Sequence, residues 1–366
     1  MTNSRSGLRV LAVALIAVLV QALTVATPAM ACACGALEPG VDDPALVVDG
    51  ETALVRHDGT TEDILLSFGM HSAADSAALI LPLPAKSQLS LGDVDTFERL
   101  AEETKPVVVE EKVLRGLGFP TIGGAGPDGA GAPGGGVDVL EERELGPFTT
   151  TQLDSDNASD LQDWLEEHDY RVRDNIVEAT QPYLDEGWVI AAIQLTPGAE
   201  GTLEGDLQPI RATFPSDEMV YPMRLQAQAS ESMPLRIYSL SEHRQDMALG
   251  TARPELKFAG SLADMALRPG STLADLSEGT PYLTRHDLQV SPEQATTDVT
   301  FSAHADDTSF REERTVEVDY PWYVRIFVPS WGTFAFWVVV LVPTLLSAAF
   351  VWGCVRLIRG PRRPRT

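Results

Sequence analysis

Residues 29–35 read AMACACG and set Cys32 and Cys34 one residue apart. Two thiols so placed could close a disulfide, exchange with another thiol or hold a soft metal. A bridge across a single intervening residue closes a very small ring. Its geometry is strained and easily reduced, so it cannot staple distant segments. A metal centre needs more ligands than two thiolates, and the next Cys or His along the chain is His57. Three roles stay open: a local Cys32–Cys34 disulfide or spare pair, a redox-active or copper/zinc-binding pair, and a bridge to another chain. Cysteine arithmetic favours the first.

The remaining candidates for chemistry are sparse. The six histidines are His57, His71, His168, His243, His286 and His304. None stands in a nucleophile-elbow, paired-His or Cys–His spacing. Acid pairs of the glycosidase kind cannot be singled out in a chain with 53 Asp and Glu. Residues 116–136, GLGFPTIGGAGPDGAGAPGGG, lack the Lys-Ser/Thr pair and the following helix of a phosphate cradle, so they read as a flexible surface loop. Asp154, Asp156 and Asp160 lack the central glycine and closing glutamate of a calcium loop. The better reading is a helix start, with Ser159 as N-cap and Gln162 completing a capping box. Asn157-Ala158-Ser159 fits a glycosylation acceptor, discounted in a bacterial chain. No catalytic, cofactor-binding or metal residue is assigned, and no cofactor is expected. The balance leans away from an enzyme without settling the matter.

The elements that would position any site read mainly as strands. ALVVDG, TALVRHDG and DILLSFGM (45–70) read as strands separated by Asp-Gly and Gly turns. AALILPLPA (77–85) is a buried strand ended by prolines, and PVVVEEKVL (106–114) is another strand. GWVIAAIQL (187–195) is apolar on both faces, the mark of a central strand. Helical spacing appears over Asp93–Glu103, in Leu161, Trp164, Leu165 and His168, and again from Arg173. Pro182 should bend or restart that last helix and Gly187 end it. LQPIRATF, MVYPMRL and LRIYSL (207–240) suggest an antiparallel meander, with Pro209 and Pro222 at exposed or edge positions. The expected fold class is α+β: a predominantly antiparallel β ectodomain with a helical segment near the middle, plus one C-terminal transmembrane helix.

Both ends bear on location. Arg5 and Arg9, the apolar run Leu11–Ala26 and the small-x-small Ala29-Met30-Ala31 make residues 1–31 a signal peptide. Residues 331–355 hold an uncharged run long enough to span a ~30 Å hydrocarbon core. Trp331 and Trp352 flank it, and Arg356, Arg359 and three more arginines follow in a basic tail, 356–366. Positive residues stay inside, which predicts a single-pass cell-membrane protein with residues 32–330 extracytoplasmic and the tail cytoplasmic. Pro343 suggests a kink, and Ala349 and Gly353 make a small-xxx-small pair. Of 27 Lys and Arg, two lie in the signal and five in the tail; the remaining 20 face 53 acids, a net −33 for the outer region. Such a surface excludes nucleic acid as a partner. The bilayer, through the C-terminal helix, and another envelope protein are the expected partners.

GVDVLEERELGPFTTTQL, LQDWLEEHDY, YLDEGWVIAAIQL and LQPIRATFPSDEMVYPMRL, between residues 136 and 225, carry a resemblance. With ILPLPA, YLTRHDL (282–288) and the cysteine pair, they resemble the domain-of-unknown-function family 2330 of exported, membrane-anchored bacterial proteins. The resemblance covers most of residues 32–305 and implies an exported domain, with 116–136 as a variable insertion; it supplies no activity and no site residues. The sequence thus points to a membrane-anchored extracytoplasmic binding or scaffolding domain of the cell envelope. An extracytoplasmic hydrolase, or a thiol- or metal-dependent protein with an unrecognised site, is the alternative. The double variant C32S/C34S is expected to keep its melting temperature, metal content and captured partners; loss of any of these assigns the pair a thiol or metal role.

Overall fold

The computed structural model describes residues 35–115 and 143–358, apart from 45, 73, 146–147, 154–156, 172, 196–203, 207, 266, 326 and 329. The signal peptide, Cys32 and Cys34, the glycine-rich stretch 116–136, Asp154 and Asp156, and Arg359 with the rest of the tail lie outside the described residues. The chain divides into two units, residues 1–105 with 129–312, and residues 106–128 with 313–366.

The first unit holds three sheets. A five-stranded antiparallel sheet runs β1 (Ala36–Pro39), β4 (Ala77–Leu83), β9 (Val189–Leu195), β8 (Phe148–Leu153) and β7 (Arg143–Leu145). The main sheet runs β18 (Phe310–Arg311), β15 (Glu255–Ser261), β16 (Tyr282–Val290), β13 (Met233–Ser241), β2 (Val48–His57), β3 (Thr61–His71), β11 (Ile210–Pro215) and β5 (Gln88–Leu91). β10 (Glu204–Asp206) also joins β3. Within this sheet β13 pairs with β2 in parallel, and the other pairs are antiparallel. A small third sheet joins β12 (Val220–Tyr221), β17 (Val299–Ala303) and β14 (Gln245–Ala248).

Side chains alternate across a strand, and that alternation sorts the unit into four layers. Leu79, Leu81, Ala191 and Ile193 of the five-stranded sheet meet Ala53, Val55, Ile64, Leu66 and Ile237 of the main sheet in one core. The opposite face of the first sheet, with Ala78, Ile80, Ile190 and Ala192, is covered by α2 (Ser159–Glu167) and α3 (Asp174–Asp185) through Leu161, Trp164, Ile176 and Leu184. The opposite face of the main sheet, with Leu54, Leu65, Tyr238 and Leu283, is covered by α1 (Thr96–Glu103) and α4 (Thr272–Leu276) through Leu100, Leu273 and Leu276. A helix, two facing sheets and a helix therefore stack in that order. The strands β4, β9, β2 and β13 are buried on both faces, as the reading of GWVIAAIQL required.

Several expectations are corrected. Asp49-Gly50 is no turn: β2 runs through it and absorbs it as a bulge between Val48 and Glu51. Asp58-Gly59 is the turn, with Asp58 Oδ1 accepting from the Thr60 and Thr61 amides. β4 continues through Pro82, which pairs with Ile190 of β9 beyond the end of β1. The meander does not form. β11 lies between β3 and β5, β12 pairs with β17, and β13 lies between β2 and β16. Pro222, with no amide proton to donate, follows the last residue of the two-residue β12, and a short 3-10 helix, Arg224–Gln228, carries the chain away. Pro209 and Pro222 are buried rather than exposed; Pro209 precedes β11 and its carbonyl accepts from Gly92.

The helix ends differ as well. α2 starts one residue earlier than a Ser159 N-cap requires. Ala158 takes the cap position, Asn157 Oδ1 accepts from the Ser159 amide, and Gln162 donates to Glu166 instead of closing a capping box. α3 runs unbroken through Pro182, and Gly187, at φ 80°, follows it in the left-handed role expected.

In the second unit, β6 (Val107–Val113) and β19 (Glu313–Asp319) form a two-stranded parallel ribbon. Arg115 pairs with Glu317, and Arg325 of the short helix α5 (Trp322–Arg325) pairs with Asp319 at 3.0 Å. α6 (Trp331–Ile358) follows, and its stretch Gly332–Arg356, 25 residues of mean hydropathy 2.3, is long and apolar enough to cross a membrane. Pro343 lies within it. Next to the interruption, Thr344 Oγ1 reaches the Val340 and Leu341 carbonyls at 2.8 and 2.9 Å. The Arg356 guanidinium lies 4.1 Å from the centre of the Trp352 ring, a cation–π contact at the charged end of the helix.

Buried charge in the first unit is paired. Glu38 of β1 is fully buried and receives Arg173 Nε at 2.7 and 3.0 Å. Burial pushes its carboxyl up to about 7 against the pull of Arg173. Between about pH 4.5 and 7 the folded chain keeps a proton that the unfolded chain has released, so stability falls as pH rises through that window. The expected loss at Glu38 is on the order of 3 kcal/mol. Urea unfolding of the wild type and of Glu38→Gln at pH 5 and pH 7.5 checks this: the stability difference between the two proteins should change with pH in that sense.

Candidate functional site

A half-open cavity of about 580 Å³ lies on the helix-covered face of the main sheet. It crosses β16, β13, β2 and β3, with the residues just before and at the start of α1 as its outer wall. Strand alternation decides which side chains enter it. On β2, Leu54 belongs to the core beneath α1, so Thr52 points the same way. Ser67 shares a face with Leu65 on β3, Arg236 with Tyr238 on β13, and Asp287 with Leu283 on β16. Glu51 also borders the cavity, but its carboxylate faces the sheet-to-sheet core, where it accepts from the buried Tyr221 hydroxyl. Phe97 forms an apolar wall, and the exposed Val94 and Glu98 sit at the rim. Gly50 and Gly69 leave the floor open at one end.

The charged residues form a graded set. Asp287 accepts two short bonds from Arg285, at 2.8 and 2.6 Å, and two longer ones from Arg236, both at 3.3 Å. Arg285 is also held by Thr104 Oγ1 at 3.2 Å and lies 6.0 Å from the centre of the Tyr238 ring. Its side chain is 9% exposed, against 26% for Asp287 and 37% for Arg236. Asp287 is partly desolvated, yet the bonds from Arg285 and the charge of Arg236 hold its carboxyl below the usual range. Two guanidiniums thus share one ionised carboxylate. Arg285 is the buried clamp and Arg236 the partner that reaches the cavity.

Among the described side chains, no histidine enters this cavity with a base-and-acid geometry. His57 Nε2 contacts the Ser216 carbonyl at 3.0 Å, and its Nδ1 accepts from Gly59. His168 stacks on Trp164 at 3.7 Å between ring centres and contacts the Trp164 carbonyl, but it caps the end of α2 as an exposed residue instead of the half-buried helix residue its spacing suggests. His286 is buried with no partner for Nδ1, and burial pushes it down to about 4, so it is neutral at neutral pH. His243 and His304 do meet carboxylates, Asp307 and Asp246, each at 2.9 Å. Both pairs lie outside the cavity, with the carboxylates exposed. Among the described residues no group of three or more His, Cys, Asp or Glu is placed to hold a metal ion.

A second charged cluster is structural. Tyr183 donates to Asp298 at 2.5 Å, Arg224 pairs with the other oxygen of Asp298 at 2.9 Å, and Glu186 takes Arg224 in a bidentate pair at 2.7 Å. The guanidinium lies 3.8 Å from the centre of the Tyr183 ring. This binds the end of α3 to the 3-10 turn after β12.

Of the residues singled out in the sequence, Trp331 opens α6, Trp352 and Arg356 lie together at its far end, and Cys32, Cys34 and Arg359 lie outside the described residues. The sequence reading did not select Arg236, Arg285, Asp287, Thr52 or Ser67. One signal was available: Arg236 in LRIYSL, and Arg285 and Asp287 in YLTRHDL, are charges in the middle of otherwise apolar strands. Such residues are almost never buried unless paired. Removing the clamp with Arg285→Met is expected to cost about 2 kcal/mol or more, because Asp287 loses its two shortest bonds. Urea unfolding measures this, and Arg236→Gln should cost clearly less.

No curated protein matches the chain. A solved structure of a mutated baculovirus P35 after caspase cleavage aligns over 71% of this chain and 98% of that one, at 9% identity and a TM-score of 0.29. A superposition that loose carries no argument about this chain. A family profile, in contrast, matches residues 28–302. The chain belongs to the family described as uncharacterized protein conserved in bacteria (DUF2330).

Proposed function

We propose that the protein is a single-pass, membrane-anchored binding domain of the cell envelope, with the cavity beneath α1 as its ligand site. In this reading residues 1–31 are a cleaved signal peptide, residues 32–330 face outward, and the arginine tail holds the helix in orientation. The observation that carries the binding role is the construction of the cavity. Its floor is four hydrogen-bonded strands, and it pairs apolar surface, Phe97 with Val94 at the rim, with a few polar groups, Thr52, Ser67 and Arg236. That mixture, at about 580 Å³, suits a small ligand or the end of a larger one. The charges there bond to one another and not to a nucleophile, which favours recognition over hydrolysis. The apolar stretch Gly332–Arg356 supports the anchor.

Two measurements on the full chain in intact cells test the proposal. Protease added outside should digest the body and leave a fragment containing α6; full protection would remove the outward orientation. A photo-crosslinking residue at Val94, at the cavity rim, should gain a reproducible mass adduct that the same residue at Val47, also exposed but outside the cavity, does not. Equal or absent adducts at the two positions would remove the binding role of the cavity.

A further inference from the structure

Resting on that reading, we infer that the cavity recognises a carboxylate joined to an apolar body, with Arg236 as the carboxylate receptor. The charge count carries it. Arg236 and Arg285 are both cations and Asp287 is the one carboxylate bonded to both, so this trio keeps a net positive charge. The other nearby acids are turned away, at the rim or engaged elsewhere: Glu51 turns to the other face of the sheet to meet Tyr221, Glu98 lies at the solvent-exposed rim, and Glu255, opposite Asp287 on β15, and Glu312 are both bonded to Lys257.

The bonding is as uneven as the charge. Arg285 holds Asp287 at 2.6 and 2.8 Å, while Nε and Nη2 of Arg236 stand off at 3.3 Å. Nη1 of Arg236 makes no bond to the described residues, and the side chain, which lines the cavity, is 37% exposed. A guanidinium is a planar fork suited to bidentate carboxylate recognition. Arg236 can therefore present Nη1, and exchange its long contacts, without unseating the Arg285–Asp287 pair. The hydroxyls of Thr52 and Ser67 line the same floor, and Phe97, Val94 and Pro234 offer apolar surface beside it. Carboxylate at Arg236 and apolar body against Phe97 is the arrangement these groups accept.

The test uses full-length protein in nanodiscs and two N-acetylated probes, N-acetylphenylalanine, whose carboxylate is charged, and its neutral amide, with binding followed by saturation-transfer NMR. The acid should bind, and the amide about tenfold more weakly or worse, the cost of losing a charge-assisted hydrogen bond. Arg236→Gln should abolish the preference for the acid, and Arg236→Lys should keep part of it, since a point charge replaces the fork. Phe97→Ala should weaken the acid and the amide alike. Equal binding of the two probes, lost in Phe97→Ala, would overturn the carboxylate assignment and leave the cavity as a binding site. Undiminished preference in Arg236→Gln would overturn the assignment of the receptor residue. Failure of both probes to bind would overturn the inference, and the Val94 adduct then reports separately whether the cavity binds anything.

Discussion

Burial of strands on both faces is the constraint from which the rest of this structure follows. A sheet covered on one side can turn its polar residues to water. Here each of the two large sheets has the other sheet on one face and helices on the other, so the central strands have no wet side. Every group that enters them charged needs a partner inside the protein, because an unpaired buried charge is far more costly than a paired one; His286, with no partner for Nδ1, is neutral instead. Glu38 meets Arg173, Glu51 meets Tyr221, and Asp63 meets Arg56 at 3.0 Å and Arg211 at 2.7 Å. Asp287 meets Arg285 under the same rule. The candidate site is the place where the covering helix layer leaves the sheet open and the rule relaxes, so one member of the network, Arg236, faces a cavity.

Much of the layer structure could be read from hydrophobic spacing. GWVIAAIQL, apolar at every second position in both phases, had to lie between two covered faces, and β9 does. Leu161, Trp164 and Leu165 recur at helical intervals and pack as one face of α2. The uncharged run after Trp331 is a continuous helix. These features are local, so a window of ten to thirty residues contains them.

Strand order and the site were not local and were not read. β2 and β13 lie side by side although Glu51 and its register partner Leu235 are far apart in the chain. Nothing in LQPIRATF or MVYPMRL tells that the first joins β3 and the second β17. The meander expectation failed because neighbours in sequence were assumed to be neighbours in the sheet, and that assumption breaks where Pro222 and the 3-10 turn redirect the chain. The cavity inherits the same difficulty. Thr52, Ser67, Arg236 and Asp287 come from four strands and converge only once the order β16-β13-β2-β3 is known. What sequence could offer was the oddity of each charge in its own strand, without its partner.

The ribbon of β6 and β19 has a consequence for the order of events during synthesis. β6 ends at Val113, and the strand that pairs with it ends at Asp319. A ribosome working from the N-terminus makes Val107, Val108 and Val109 and must then deliver residues 129–312, the larger part of the first unit, before their counterpart emerges. The loop so closed is long, yet its entropic cost grows only with the logarithm of its length. The ribbon is thus the last strand pair the chain can zip, completed just before the apolar helix leaves the ribosome.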